Sequence, residues 1–303
     1  MKQKNLSRRD FLLQASGGAL VAAAAPATLT SALSKKNPVG AHLWVYASAF
    51  PPDWDCTPKL EEIFSDLSYA GIEGLEVMEV LLRRPDNATR LLELSKHYKV
   101  PVLGTSYSAN MWDKARQSEI LEDVARVAEQ LQKCGGKTFG ISVGTPGRKK
   151  TEDELDTQAK TLAEVYATCK KRGVVANLHN HTYEVENELH DLRGTLQRLP
   201  DSKLGPDLAW LVRAGVDPVW FVREYRKNIV YIHLRDQDSS NQWTEAMGEG
   251  IIDFDSIANA LHEIRYKGPV TIELAFPRGF TPTRPLKESW KISRNLVTKK
   301  FGW

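Results

Sequence analysis

Two imidazoles and two carboxylates recur along the second half of the chain at intervals that a repeating fold would bring together. They are His179 in VVANLHNH, Asp207 in KLGPDLAW, His233 in IVYIHLRD and Glu273 in PVTIELAF, separated by 28, 26 and 40 residues. Each stands at the end of a short apolar or β-branched run that reads as a strand, and each interval has room for one βα unit with its loops. In a barrel built from such units, the strand ends converge on one mouth. A mixed nitrogen and oxygen set suits a divalent ion such as Mn²⁺, Zn²⁺, Co²⁺ or Fe²⁺ better than Ca²⁺, which prefers an all-oxygen shell. Without a cation, two carboxylates buried side by side repel, and each unpaired buried charge costs on the order of several kcal/mol. The set His179, Asp207, His233 and Glu273 is therefore read as one metal site.

The elements that must position these groups follow from the periodicity. Candidate strands are Gly40 to Ala47, Gly74 to Met78, Val100 to Ser106, Thr138 to Val143, Val174 to His179, Leu204 to Leu208, Ile229 to Leu234 and Val270 to Leu274. Amphipathic stretches lie between them, clearest in Ser118 to Gln132 and Glu152 to Lys171, where apolar residues recur at helical spacing. Gly135-Gly136, Gly173 and Gly268-Pro269 punctuate helix ends. Eight such repeats predict an α/β fold, a single (β/α)8 TIM barrel over residues 39–303. Side chains alternate across a strand, so Asn177, His179 and His181 share one face, as do Tyr231, His233 and Arg235, and Thr271 and Glu273. The same parity turns His42, Glu76 and Met78 inward, and predicts an apolar fourth wall of Phe139, Ile141 and Val143.

The N-terminus carries Ser7-Arg8-Arg9-Asp10-Phe11-Leu12, a twin-arginine pattern, followed by the weakly apolar run to Pro26. This reads as a Tat signal peptide over residues 1–27, then a linker over 28–38, and implies passage through the Tat translocon to a periplasmic or otherwise exported location. The apolar stretch is short of the roughly 20 residues a membrane span needs, so no stable membrane anchor is expected. The whole chain holds 41 Lys and Arg against 38 Asp and Glu. Residues 1–27 contribute Lys2, Lys4, Arg8 and Arg9 against Asp10, leaving 37 of each sign. A balanced charge advertises no nucleic-acid partner. Cys56, Cys134 and Cys169 have no metal-type spacing and do not form a disulfide framework.

From about Val39 to the C-terminus the chain resembles the xylose isomerase-like TIM-barrel superfamily, in particular its sugar isomerase/epimerase group. The resemblance is carried by GIEGLEVM, LHNHTYEVE, DLAWLVRAGVDP, IHLRD, GEGIIDF and TIEL, in that order and at these intervals. It implies a divalent metal held by the last four strands, over which a sugar or polyol binds through vicinal oxygens. Asp207, His233 and Glu273 fall on family metal positions. His179 stands where many of these epimerases have a Glu that is both ligand and proton carrier, and Trp210 where they often have His. The departures tell against chemistry that uses two carboxylates to move protons.

The implied chemistry is proton abstraction next to a carbonyl, with the ion as Lewis acid. His181 and Glu184, just past His179, are candidate bases, and Glu273 is a third while ligated. Arg235 is placed to grip substrate oxygens in a fork. Glu76 either contacts substrate or pairs with a neighbouring base. Trp112, Tyr183 and Trp210, with Trp44 and Tyr107, are candidates for a stacking wall. Asp236 orients neighbours, and Glu249 is either hydrogen-bonded to a ligating His or a plain loop residue. The expectation is an exported, metal-dependent isomerase, epimerase or lyase acting on a sugar or keto-sugar derivative. The alternatives are a metal-free carbohydrate-binding barrel and, less well matched by the balanced charge, an abasic-site endonuclease.

Overall fold

The computed structural model describes residues 37–277 and 279–303. The twin-arginine segment and most of the expected linker lie outside them. Seven strands form one parallel sheet: β1 (Val39–His42), β2 (Gly74–Met78), β3 (Val102–Ser108), β4 (Thr138–Ser142), β5 (Val175–Leu178), β6 (Ile232–Leu234) and β7 (Val270–Ile272). Their spatial order is β5-β4-β3-β2-β1-β7-β6, so β1 lies inside the sheet and pairs with both β2 and β7. Most successive strands are joined through helices, as parallel connections require.

The expected strand Leu204 to Leu208 is not a strand, and this corrects the count of eight to seven among the described residues. Its backbone still reaches both sheet edges. On one side Leu178 N donates to Lys203 O and Gly205 N to Leu178 O, both at 2.8 Å; on the other, Val230 N donates to Leu204 O and His233 N to Pro206 O, both at 2.9 Å. Isolated parallel bridges join Leu204 to Leu178 and to Ile229, and Asp207 to His233. Regular pairing fails here because Pro206 has no N–H to give and because Asp207 already caps the helix Leu208–Arg213, accepting from Ala209 N and Trp210 N.

The two helices read most clearly from the sequence are present. Gln117–Lys133 buries Ile120, Val124, Val127, Ala128 and Leu131, a stripe at helical spacing. Glu152–Lys171 begins with a capping box, in which Thr151 Oγ1 accepts from Glu154 N and Glu154 returns a carboxylate oxygen to Thr151 N. The fourth wall is the reverse of the expected one. Phe139 and Ile141 join the apolar core, while Gly140 and Ser142 face the mouth. The register explains it: Ser106 on β3 pairs with Gly140, and Ser106 also faces the mouth. All three cysteines are free thiols buried in the core. Among the described residues no helix is long and apolar enough to cross a membrane.

The GEGIIDF loop is organised by Asp236, whose carboxylate accepts from the backbone N–H groups of Gln237, Gly248, Gly250 and Ile252. Gly250 has to be glycine because a Cβ there would lie 2.2 Å from Gln237 O and 2.3 Å from Asp236 Oδ1. Gly250→Ala is expected to destabilise the fold by about 1–3 kcal/mol, as overpacking does. Denaturant unfolding checks this, and a wild-type midpoint would contradict the crowding described.

Candidate metal centre and cavity

His179, Asp207, His233 and Glu273 each offer one ligand atom, and these atoms all lie within 4.8 Å of one another. Asp207, His233 and Glu273 are buried, while His179 is half-buried and lines the cavity above. The local chain explains each placement. His179 follows β5 and keeps its backbone N–H on Ile141 O of β4. Asp207 spends Oδ1 on capping its helix, which leaves Oδ2 turned to the cluster. Asn180 locks that segment to β5, donating to Asp207 O and accepting from Asp207 N, each at 3.2 Å. His233 and Glu273 stand at the ends of neighbouring strands, with His233 Nδ1 2.9 Å from Glu273 Oε2.

Glu76 does not reach the cavity. It lies buried behind His233, with Oε2 3.1 Å from His233 Nε2. The contact is an ion pair outside hydrogen-bond alignment, with the carboxylate behind one ring nitrogen and the other nitrogen turned toward Glu273 and the cluster. Of the two roles expected for Glu76, pairing with a neighbouring base is the one its position allows.

Arg235 closes the charge balance. Its Nε is 2.9 Å from Asp207 Oδ2, outside hydrogen-bond alignment, and its Nη2 contacts Glu273 Oε1. Burial raises the Asp207 carboxyl, with Arg235 pulling against it. Burial also works against ionisation of Glu273, but Arg235, His42 and His233 together hold it well below the usual carboxylate range. His233 is opposed by burial too, yet Glu76 and Glu273 outweigh this and hold its imidazole at about 10. His179 is shifted the other way, well below its ordinary value, by burial and by the His233 and His181 rings. It is thus a neutral imidazole, and its buried Nδ1 has no hydrogen-bond partner.

These features fit a divalent ion. The donor set is two nitrogens and two oxygens, and His179 Nδ1 is unpartnered. Three carboxylates against Arg235 leave two negative charges once His233 gives up its proton. That matches one divalent cation. Because His233 is protonated at neutral pH, metal uptake has to displace that proton. Below about pH 10, apparent metal affinity is therefore expected to rise about tenfold per pH unit, with about one proton released per ion. Titration calorimetry in two buffers of different ionisation enthalpy measures this, and heats independent of the buffer would contradict the protonated His233.

The cluster opens into a cavity of about 830 Å³, lined by groups that include His42, Ser106, Ser142, His179, His181, Tyr183, Trp210, Arg235, Trp243 and Glu273. His42 donates through Nε2 to Ser106 Oγ at 2.9 Å, because its Nδ1 already accepts from Trp44 N. Tyr183 and Trp210 line the cavity as their sequence positions suggest, but Trp112 does not. Glu249 is a loop residue that pairs with Arg284 and accepts from Ala246 N.

Glu184 is buried and is not among the lining residues. Both of its oxygens are occupied: Oε1 accepts from Ser142 Oγ at 2.6 Å and Val143 N at 3.2 Å, and Oε2 from His181 N at 2.6 Å. A base needs a free lone pair at the substrate, so the expected catalytic role does not suit Glu184. Instead it ends a chain of hydroxyls. Since Ser142 gives its proton to Glu184, the 2.8 Å contact between Tyr183 Oη and Ser142 Oγ is a bond only if Tyr183 donates. His181 Nδ1 lies 3.3 Å from both hydroxyl oxygens, so the Tyr183 and Ser142 pair anchors that side of the ring. Nε2 is the nitrogen left for the cavity, which the ring lines. The ring stacks on Tyr183 at 5.4 Å with a 13° interplanar angle.

Residues 64–296 match the model of the xylose isomerase-like TIM barrel family. The chain belongs to that family. Among curated relatives of this xylose isomerase-like barrel, an inosose dehydratase of Bacillus cereus (strain AH820) is 22% identical over 262 residues, covering 73% of this chain and 84% of the relative. Among solved structures, D-allulose 3-epimerase from Methylomonas sp. in complex with D-allulose superposes with a TM-score of 0.71 at 15% identity, covering 88% and 98% of the two chains. An L-ribulose 3-epimerase superposes with a TM-score of 0.69 at 19% identity, covering 88% and 95%.

Proposed function

We propose that this xylose isomerase-like barrel is a divalent-metal-dependent enzyme that removes a proton next to a carbonyl of a sugar or keto-sugar derivative, either to isomerise or epimerise it or to eliminate water. The observation that carries this reading is the four-donor cluster at the end of the strands, opening directly onto a cavity that holds a histidine anchored through one ring nitrogen. Relatives that are inosose dehydratases and sugar epimerases support the substrate class. The twin-arginine segment supports export through the Tat translocon, and activity on unphosphorylated sugars outside the cytoplasm is part of the proposal.

In this account His179, Asp207, His233 and Glu273 hold the ion, Glu76 fixes the His233 ring, and Asn180 fixes Asp207. A divalent ion on these donors supplies Lewis-acid polarisation of substrate oxygens. His181 Nε2 takes the proton from the carbon beside the carbonyl, while Nδ1 stays on the Tyr183 and Ser142 hydroxyls. Arg235, facing the cavity, steadies the negative oxygen that develops on the substrate. Protonation of that carbon on the opposite face by a water in the cavity, with His181 releasing its proton to solvent, gives an epimer. Departure of a β-hydroxyl as water, with His181 as the proton donor, gives an unsaturated ketone.

Solvent exchange tests the first step whatever the product. Metal-loaded protein is incubated in D₂O with a panel of ketoses, keto-inositols and 3-keto-glycosides, and deuterium at the carbon beside the carbonyl is followed by NMR. The reading expects incorporation or enone formation on at least one substrate, and neither on any member would overturn it. A second reading, the metal-free carbohydrate-binding barrel, draws on Arg235, which already lies against both Asp207 and Glu273. It expects sugar affinity that survives EDTA.

A further inference from the structure

The cavity runs from a buried polar floor to an exposed rim. On the floor His42, Arg235 and Glu273 are at most 6% exposed. At the rim aromatic rings stand among exposed polar groups: Trp54 is 37% exposed, and Ser108, Asn241 and Gln242 are exposed beside the rings. At about 830 Å³ the space lies toward the upper end of the roughly 300–1,000 Å³ seen for drug-sized ligands, well beyond what one sugar ring over the four donors would fill.

Two aromatic walls stand in the lining. On one, Trp54 packs against Trp44 with ring centroids 5.5 Å apart. Its backbone is held at φ 55°, a left-handed conformation that a tryptophan seldom adopts, by a 2.7 Å bond from Trp54 N to Phe50 O. Among the described residues, this large ring in a strained backbone is covered on one side by Trp44 and stays partly open to water. The other wall is built before any ligand arrives. Trp210 and Trp243 meet edge to face at 5.0 Å, and the Arg213 guanidinium lies 3.2 Å from the Trp243 ring centroid. Arg213 is itself fixed by Gln237 Oε1 at 2.6 Å and by Asn241 O.

We propose that the outer half of the cavity is a second subsite, formed by Trp54 and Trp44 with Trp243 and Trp210, which takes a second ring joined through a glycosidic oxygen, so that the preferred substrate is a glycoside and not a free monosaccharide. The inference rests on the reading of the inner site as one that binds a sugar. The ring acted on lies over the polar floor, and the second ring, whether sugar or aryl, presents its C–H or π face to the tryptophans.

The test compares matched ligands on the full, metal-loaded chain by titration calorimetry. D-glucose, D-galactose, D-mannose and D-xylose are each measured as the free sugar, as the two phenyl glycosides and as a β-1,4-linked disaccharide. At least one glycoside is expected to bind about tenfold or more tightly than its parent sugar. Trp54→Ala, at a partly exposed position, should erase that difference while leaving the parent sugar's affinity within about twofold, and Trp54→Phe should retain most of it. A phenyl preference without a disaccharide preference would identify an aryl aglycone, and both together a sugar-tolerant subsite; each supports the proposal. If parent sugars bind and no glycoside binds more tightly, or if Trp54→Ala leaves the preference intact, the second subsite is refuted and the inner site stands. If neither sugars nor glycosides bind, the reading of the inner site fails and takes the subsite with it.

Discussion

Glu273→Ala is expected to abolish proton exchange on the best substrate, by about a thousandfold or more, and to cost about 3–5 kcal/mol of folding stability. Both losses have one origin. The Glu273 carboxylate is one of the four donors of the proposed metal site and also lies against Arg235 and His233, two buried cationic groups. Removing it leaves a guanidinium with Asp207 alone and an imidazolium with Glu76 alone. Breaking such a buried cluster from one side costs more than a surface pair ever contributes. Denaturant unfolding of the metal-free protein separates the stability loss from the loss of a ligand. Glu273→Gln, which keeps the shape and removes the charge, should fall between the two. A metal-free Glu273→Ala protein as stable as wild type would contradict the balance of charges described here.

Substitution of His181 carries the second large effect. His181→Ala should lower exchange by about 10²–10⁴-fold, the usual worth of a positioned general base, with little change in metal content or stability. Through Nδ1 the side chain meets Tyr183, Ser142 and Glu184, its ring packs on His179 at 5.1 Å and Trp210 at 5.4 Å without being one of the four donors, and it faces the cavity. Tyr183→Phe and Ser142→Ala leave the base in place but remove the hydroxyls that anchor its Nδ1. A smaller loss, about tenfold, is expected from each, mainly in kcat. Undiminished exchange in His181→Ala would move the base elsewhere, and Glu273 would then be the remaining candidate.

The part of the site that was legible in the sequence is the part governed by strand parity. His179, His233 and Glu273 sit at strand ends on the inward face, and alternation with regular intervals is enough to place them together. Asp207 was legible by interval alone. Its strand is interrupted by Pro206, and what turns Oδ2 inward is the helix cap.

Groups set by register or by loops were hidden. Ser142 fell on the wrong face because the fourth strand's parity was read from its hydrophobic residues, whereas pairing with β3 decides it. Trp54, Trp243 and Arg213 reach the cavity from loops or a short helix, where no periodicity speaks. The position of Glu184 did have a signal. In His181-Thr182-Tyr183-Glu184, a carboxylate three residues past a helix start is the spacing of a capping box, which predicts a bond back to the His181 N–H and no free base.

Elemental analysis of the purified protein tests the central claim most directly, with wild type beside His179→Ala and Asp207→Ala. The account predicts about one divalent transition-metal ion per chain in wild type after loading and dialysis, and a loss of about tenfold or more in affinity in either variant. A wild-type protein that retains no ion, while binding carbohydrate equally well in EDTA, would contradict it.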